Sequence, residues 1–383
     1  MKQPETSTVF AGVDATTEMR LPTWYAREHQ PEEVRSLAEA IRRLPRAVET
    51  EVAYRNPYTN GWVETSRFNA LVEPSRAVAD VSDEADADPL FHVPTTSYSI
   101  INPVDVYAPL EEILREHDLD GRALGELVFG EIRQYRAGGE VHMDLMFDGL
   151  EVSLPGRNDP ITMGVTSGYD FFGGHAVYVE GFARDNACAN SIRSLTDRQI
   201  VKHVGEVDHF GAWWESILSR LELVADDLHA FILDASDITI DFRQVPFDVA
   251  EFYELLGFPE YLAEAARNDA VLEADDPFDI DLWTLHSGAT HALTHGFRGR
   301  EGSSLDGYVR AANDLLFNPE VVLGRVTRTY ERRASDETRS GQTELESQLA
   351  LAQLERVRTD VQEKAATFEA RELRLRERFA MLD

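Results

Sequence analysis

His291 and His295 stand four residues apart in a stretch of helical spacing, with His286 shortly before them. Two imidazoles at i and i+4 share one face of a helix, which is how a helix presents nitrogen ligands to a metal. A metal site at His291 and His295, serving a metal-dependent hydrolase or nuclease, is one expectation. No glutamate stands where a zincin carries its base, and Asp279 and Asp281 are the nearby acids. The plainer account of the pair is a helix face of hydrogen-bonded histidines. Cys188, the single cysteine, is a nucleophile only if His175 or His203 reaches it as a base. A lone cysteine is more often a small buried residue, so no catalytic residue is assigned.

Cations and aromatic rings give a second chemistry. Arg184, Arg193, Arg198 and Lys202 lie close in sequence and form a candidate phosphate groove. Ordinary ion pairs with the many carboxylates are the competing account. Tyr169, Phe171 and Phe172 fall in the glycine-rich stretch 168–174. At an exposed tip their rings would stack on bases; otherwise they are core. That stretch is no phosphate loop, because it lacks the Gly-Lys-Ser/Thr ending and the strand-to-helix context. Asp226-Asp227 and Asp275-Asp276 are neighbours in sequence, so they do not face each other as acid–base pairs.

The elements that must position these groups follow from periodicity. Residues 1–22 read as a loose arm. Pro31-Glu32-Glu33 opens a helix with Val34, Leu37, Ile41 and Leu44 on one face. Val48–Tyr54 and Trp62–Val72 alternate around turn residues and predict a hairpin. Residues 80–88 read as a solvated loop. Strands are expected at 95–101, 124–135, 140–147, 152–154, 161–166 and 175–182, with Asp148-Gly149 as a two-residue turn. Helices are expected at 104–117, 199–204, 208–233, 248–256, 278–294 and 305–317. Residues 331–342 read as a linker. Residues 343–383 form a long coiled-coil-like helix with Leu354, Val357, Val361, Ala365 and Phe368 at 3-4 spacing. The fold class is therefore α+β: a largely antiparallel β-rich region (23–186), a helical region (187–330) and the C-terminal helix.

Composition narrows the functions. The 383 residues carry a formal charge of -32, from 69 acidic and 37 basic residues. Only three of the basic residues are lysine (Lys2, Lys202, Lys364). Acid excess with almost no lysine fits adaptation to molar salt, where mutual repulsion is screened over about 3 Å. It opposes nonspecific DNA binding, which rests on cation–phosphate contacts. Any nucleic-acid site must then be a local arginine–aromatic patch. One cysteine allows neither an internal disulfide nor a cysteine-based zinc cluster. With no run of about 18 apolar residues and no signal-like start, a cytoplasmic chain is expected.

Three stretches together resemble one family. They are Ser167-Gly168-Tyr169-Asp170-Phe171-Phe172, Arg184-Asp185-Asn186-Ala187-Cys188-Ala189-Asn190-Ser191, and the run from Leu282 to His295 (LWTLHSGATHALTH). The chain is similar here, and at Ser97–Pro103, to phage/plasmid-like proteins of the domain-of-unknown-function 932 family. The likeness covers residues 20–320 or so. Asp170-Phe171-Phe172 replaces the family's usual Asp-Gly-Ser, and Arg184 lies one residue further from Cys188 than usual. The resemblance implies a mobile-element setting and supplies no reaction. The expectation is a non-enzymatic protein binding single-stranded nucleic acid, without a cofactor, and associating with further copies of itself. The alternatives are the histidine-based hydrolase and a structural protein assembling through the C-terminal helix.

Overall fold

The computed structural model describes residues 4–14, 17–28, 34–74, 90–120, 124–153, 160–174, 176–186, 190–192, 199–203, 210–298, 303–338, 348–349, 351–359, 362, 373–374 and 377. The expected loop at 80–88 lies outside them.

The architecture is α+β, as the sequence predicts. Its centre is an antiparallel meander of long strands: β5 (Leu127–Tyr135), β6 (Glu140–Val152), β7 (Ile161–Asp170) and β8 (Val177–Asp185). β1 (Thr6–Phe10) extends it beside β5. At the other edge β8 pairs with both β9 (Ser191–Ile192) and β10 (Gln199–Val201), completing a seven-stranded sheet. A separate three-stranded sheet holds β2 (Val48–Arg55), β3 (Trp62–Val72) and β4 (Leu90–His92). α1 (Thr23–Glu28) and α2 (Leu37–Arg42) lie between the two sheets in sequence, and α3 (Pro103–Asp120) follows the smaller one.

The helical half begins with α4 (Phe210–Ser236), 27 residues long. A short ladder of β11 (Thr239–Asp241) and β12 (Asp279–Asp281) brackets α5 (Val249–Leu255) and α6 (Glu260–Glu273). α7 (Leu282–His291), α8 (Ser303–Phe317) and α9 (Pro319–Thr338) complete it. No helix among the described residues is long and apolar enough to cross a membrane.

Period-two alternation gives the main sheet two different faces. Val141, Met143 and Leu145, with Ile161, Met163 and Val165, with Val177 and Val179, make an apolar face. α4 covers it, burying Trp214, Ile217, Leu218 and Leu221 in the same core. Trp214 also donates its indole N–H to the Val106 carbonyl at 2.7 Å, tying α4 to α3. The opposite face carries Phe129, Met146 and Phe182 under Val9 and Tyr25, and then a row of charges.

Several expectations are corrected. The arm contains β1, where β-branched Thr6, Thr8 and Val9 favour the strand that pairs along the edge of β5. α2 starts later than Pro31, because Ser36 caps it in a reciprocal box with Glu39. Asp148-Gly149 makes no hairpin turn; it is a bulge inside β6, where both residues bond back to the 124–126 backbone. Residues 95–101 form no strand beyond a single bridge from Thr95 to Phe68. Gln199–Val201 is an edge strand in place of a helix. The helix expected from Phe278 begins at Leu282, capped by Asp281 on Thr284, and α6 was unforeseen. Residues 331–338, read as linker, continue α9. The described parts of 348–377 are helical, and Leu354 is buried against its own chain. Gln362 there donates to Glu320 of α9 at 2.6 Å.

α6 and α7 pack backbone to backbone through Gly288. A Cβ there would stand 2.5 Å from the Ala266 carbonyl oxygen. Gly307, exposed on α8, has nothing within 4 Å of that position. Gly288→Ala should destabilise by about 1–3 kcal/mol through overpacking, despite the gain in helix propensity. Gly307→Ala should stabilise by up to about 1 kcal/mol. Denaturant titration of the two variants checks the opposite signs.

Candidate nucleic-acid interface

Arg184 sits near the end of β8, on the polar face of the main sheet. Its guanidinium donates to the Asp144 carboxylate at 2.9 Å, and Arg133 donates to the same oxygen at 2.7 Å. Arg133 also reaches Glu131 at 3.0 Å, and Ser7 donates to Glu131 at 2.7 Å. Side chains from β1, β5, β6 and β8 are thus joined by one polar chain. Burial works against the Asp144 charge, but Arg133 and then Arg184 outweigh it and hold the carboxyl well below the usual carboxylate range. Arg184 is consequently an ion-pair partner in a buried network, in place of the open groove the sequence suggests. Arg193 and Arg198 lie outside the described residues, as do Cys188 and His175. Lys202 is exposed just beyond β10.

The stacking loop is also corrected. Tyr169 and Phe171 are each only 1% exposed. β7 continues through Asp170, so Tyr169 follows Ile161, Met163 and Val165 onto the apolar face. Phe171 stacks on Phe91 at 5.2 Å between centroids. Phe172 is half-buried, and the Arg136 guanidinium carbon lies 3.4 Å from its ring centroid, covering one face of the ring. Asp170 builds the turn, accepting from the Phe172 and Gly174 amides at 2.7 and 2.9 Å. The turn lies at the opposite end of β7 from Arg184, since Ile161 pairs with Asp185. Of the described cations, Arg184 thus stands apart from the rings, whereas Lys202, next to the Val201–Val177 pair, lies at the same end of the sheet as the turn.

The histidines divide as well. His291 and His295 do meet, with ring centroids 4.5 Å apart, and Asp269 stands 3.4 Å from the His291 ring. Burial and then the neighbouring His295 lower the His291 pKa. No three His, Cys, Asp or Glu among the described residues form a group that could hold a metal. Among the described residues the pair thus has no third ligand grouped with it. His286 is instead fully inside, stacked on Trp283 at 5.4 Å. It lines a small pocket with Ser287, Thr290, Asp185 and Asn190. The Asn190 amide donates to the Ser287 carbonyl at 3.3 Å. Two of the three motif stretches, distant in sequence, thus meet at the end of β8. Burial lowers the His286 pKa to about 4, Asn313 acting weakly the other way.

The exposed aromatic surface lies elsewhere, on the β2–β3 hairpin. Tyr54, Tyr58 and Trp62 are 51%, 94% and 75% exposed. The hairpin is rooted by buried Ala70 and Leu71, and Asn102 holds its entry by bonding both backbone groups of Ala47. Its tip is ordered by Asn56, whose side chain accepts from the Tyr58 and Thr59 amides at 2.9 and 3.3 Å. Asn60 takes the positive φ of 57° that closes the loop. Arg55 pairs across to Trp62 and donates to the Asn60 carbonyl at 3.4 Å. Residues 52–63 contain Arg55 and no acid, in a chain of net charge -32. Three rings in an acid-free stretch around a turn were the available signal; the sequence reading recognised the hairpin and missed its surface.

Comparison with protein-family models, with curated proteins and with solved structures finds no match to this chain. The family resemblance therefore rests on its motifs.

Two outcomes follow from the buried groups. Asp144→Asn leaves Arg133 and Arg184 without their shared counter-charge and should cost about 3–5 kcal/mol. The exposed Arg243→Ala, which breaks a surface pair with Asp241, should leave stability nearly unchanged in the same denaturation assay. His286 stays neutral in the fold below the pH at which an unfolded histidine takes up a proton. The unfolded state therefore binds more protons, and stability falls as pH drops from about 6.5 towards 4. The full loss is about 3 kcal/mol. His286→Gln should remove that part of the slope in unfolding free energy measured from pH 7 to 4.

Proposed function

We propose that this chain is a non-enzymatic protein that binds single-stranded nucleic acid on the β2–β3 hairpin. The observation that carries the reading is the exposed set Tyr54, Tyr58 and Trp62 around Arg55, on an ordered tip without acidic residues. Bases stack on aromatic rings regardless of sequence, and stacking survives salt that abolishes simple phosphate attraction. A strongly acidic protein needs that kind of contact, because its overall field repels a polyanion. With the motif resemblance, the role is one in replication or recombination of a mobile element.

Fluorescence anisotropy of single- and double-stranded oligonucleotides, from 0.5 to 3 M KCl, tests it. Single-strand binding should persist across the range. Tyr58→Ala and Trp62→Ala should each weaken it about 5- to 150-fold, as expected for about 1–3 kcal/mol per stacked base. Undiminished binding by the double variant would remove the hairpin from the reading. Absence of binding by the folded wild-type chain at every salt would overturn the function itself.

A further inference from the structure

β2 lies at the edge of its sheet, in the order β2-β3-β4, and its outer side meets no strand among the described residues. Its residues are exposed from Val48 to Arg55 except for half-buried Val52. An eight-residue strand with a free row of backbone donors and acceptors is a template for another strand. Such an edge is normally blunted by charge, and β2 carries Glu49, Glu51 and Arg55 on one face. Whether those charges repel or recruit depends on the register.

The geometry points to a second copy of this chain: we propose that two molecules associate through antiparallel β2–β2 pairing centred on Val52. A two-fold axis normal to the joined sheets keeps each side chain on its own face, so the axis must pass through a residue position. Centring on Glu51 sets Glu51 against itself, and centring on Thr50 sets Glu49 against Glu51 twice. Centring on Ala53 restricts the overlap to 51–55. Centring on Val52 pairs residues 49–55, sets Val52 on Val52 and Thr50 on Tyr54, and puts Glu49 opposite Arg55 in both halves. Cross-strand opposite charges stabilise a pair and like charges oppose it; the Ala53 register also sets Glu51 opposite Arg55, but the Val52 register is the longest of the four without a like-charge clash and is complementary over its full seven residues. Glu49 is already held along the strand by the Asn69 amide. The Ala47 backbone is occupied by Asn102, which stops the pairing from running further towards the core. The result joins two three-stranded sheets into one, with Arg55 and Trp62 of both copies on a single face.

The experiment uses the full chain without nucleic acid, so it stands independently of the proposed ligand. Sedimentation equilibrium should show a monomer–dimer equilibrium. Glu49→Arg and Arg55→Glu should each weaken it at least about tenfold, and the double exchange should restore it. In a Cys188→Ser background, Val52→Cys should form an intermolecular disulfide on mild oxidation, because directly opposed Cα atoms are about 4.5–5.5 Å apart. Ala53→Cys should not. A monomer at all concentrations, unaffected single exchanges, or association abolished only by removing residues 348–383 would overturn the proposal.

Discussion

The main sheet depends on one buried carboxylate. Asp144 lies on the face that α4 does not cover, and a charge there is tolerable only if it is fully paired. Arg133 approaches from the adjacent β5 and Arg184 from β8, on the far side of β7, so Asp144 of β6 ties strands on both sides of it into one register. A slip of β6 by one residue would send Asp144 to the apolar face and Met143 or Leu145 to the charged one. The pairing selects the register more than it adds stability, since desolvating three charges offsets most of their attraction. Arg184 is committed to that pairing with Asp144.

The apolar face imposes the rest of the architecture. A wide strand surface of Val, Met and Ile needs a long cover, and α4 supplies it with Trp214 bonded to α3. The end of β8 is then brought against α7, where Asn190 and Ser287 join the two halves of the chain. His286 is trapped at that junction and kept neutral by burial. Among the described residues the smaller sheet is anchored at its base, and its far end stands clear of the core. Rings that a core would absorb are left exposed there, which is the physical basis for assigning the working surface to β2 and β3.

The negative charge of the chain and the exposed hairpin belong to one account. Carboxylates spread over the surface repel polyanions and other copies alike. The stretch from Val52 to Val63 lacks them, so contacts by stacking or strand pairing are not opposed locally. Contact through the C-terminal helix is partly pre-empted, because Leu354 of its apolar stripe is buried within the same chain.

The sequence by itself determined the class of the fold and most of its elements. Alternation in 140–147 and 161–166 and the helical spacing of Ile217, Leu221, Val224 and Leu228 encode which side of each element is apolar, and these elements form as that pattern requires. Alternation from Ile161, carried on to Tyr169, would also have shown that ring to be core; glycine content around it masked the signal. Local pattern failed where a non-local partner decided. Asp148-Gly149 has the chemistry of a turn, but backbone groups at 124–126 take up its hydrogen bonds and turn it into a bulge. Gln199–Val201 gains a strand conformation only from the free edge of β8. The fate of Arg184 was undecidable from spacing, because its partner Asp144 is forty residues away and reaches it only through sheet registry. Exposure of Tyr54, Tyr58 and Trp62 was likewise a tertiary outcome: nothing in the chain packs over the hairpin among the described residues, and only the completed core shows which apolar side chains it leaves outside.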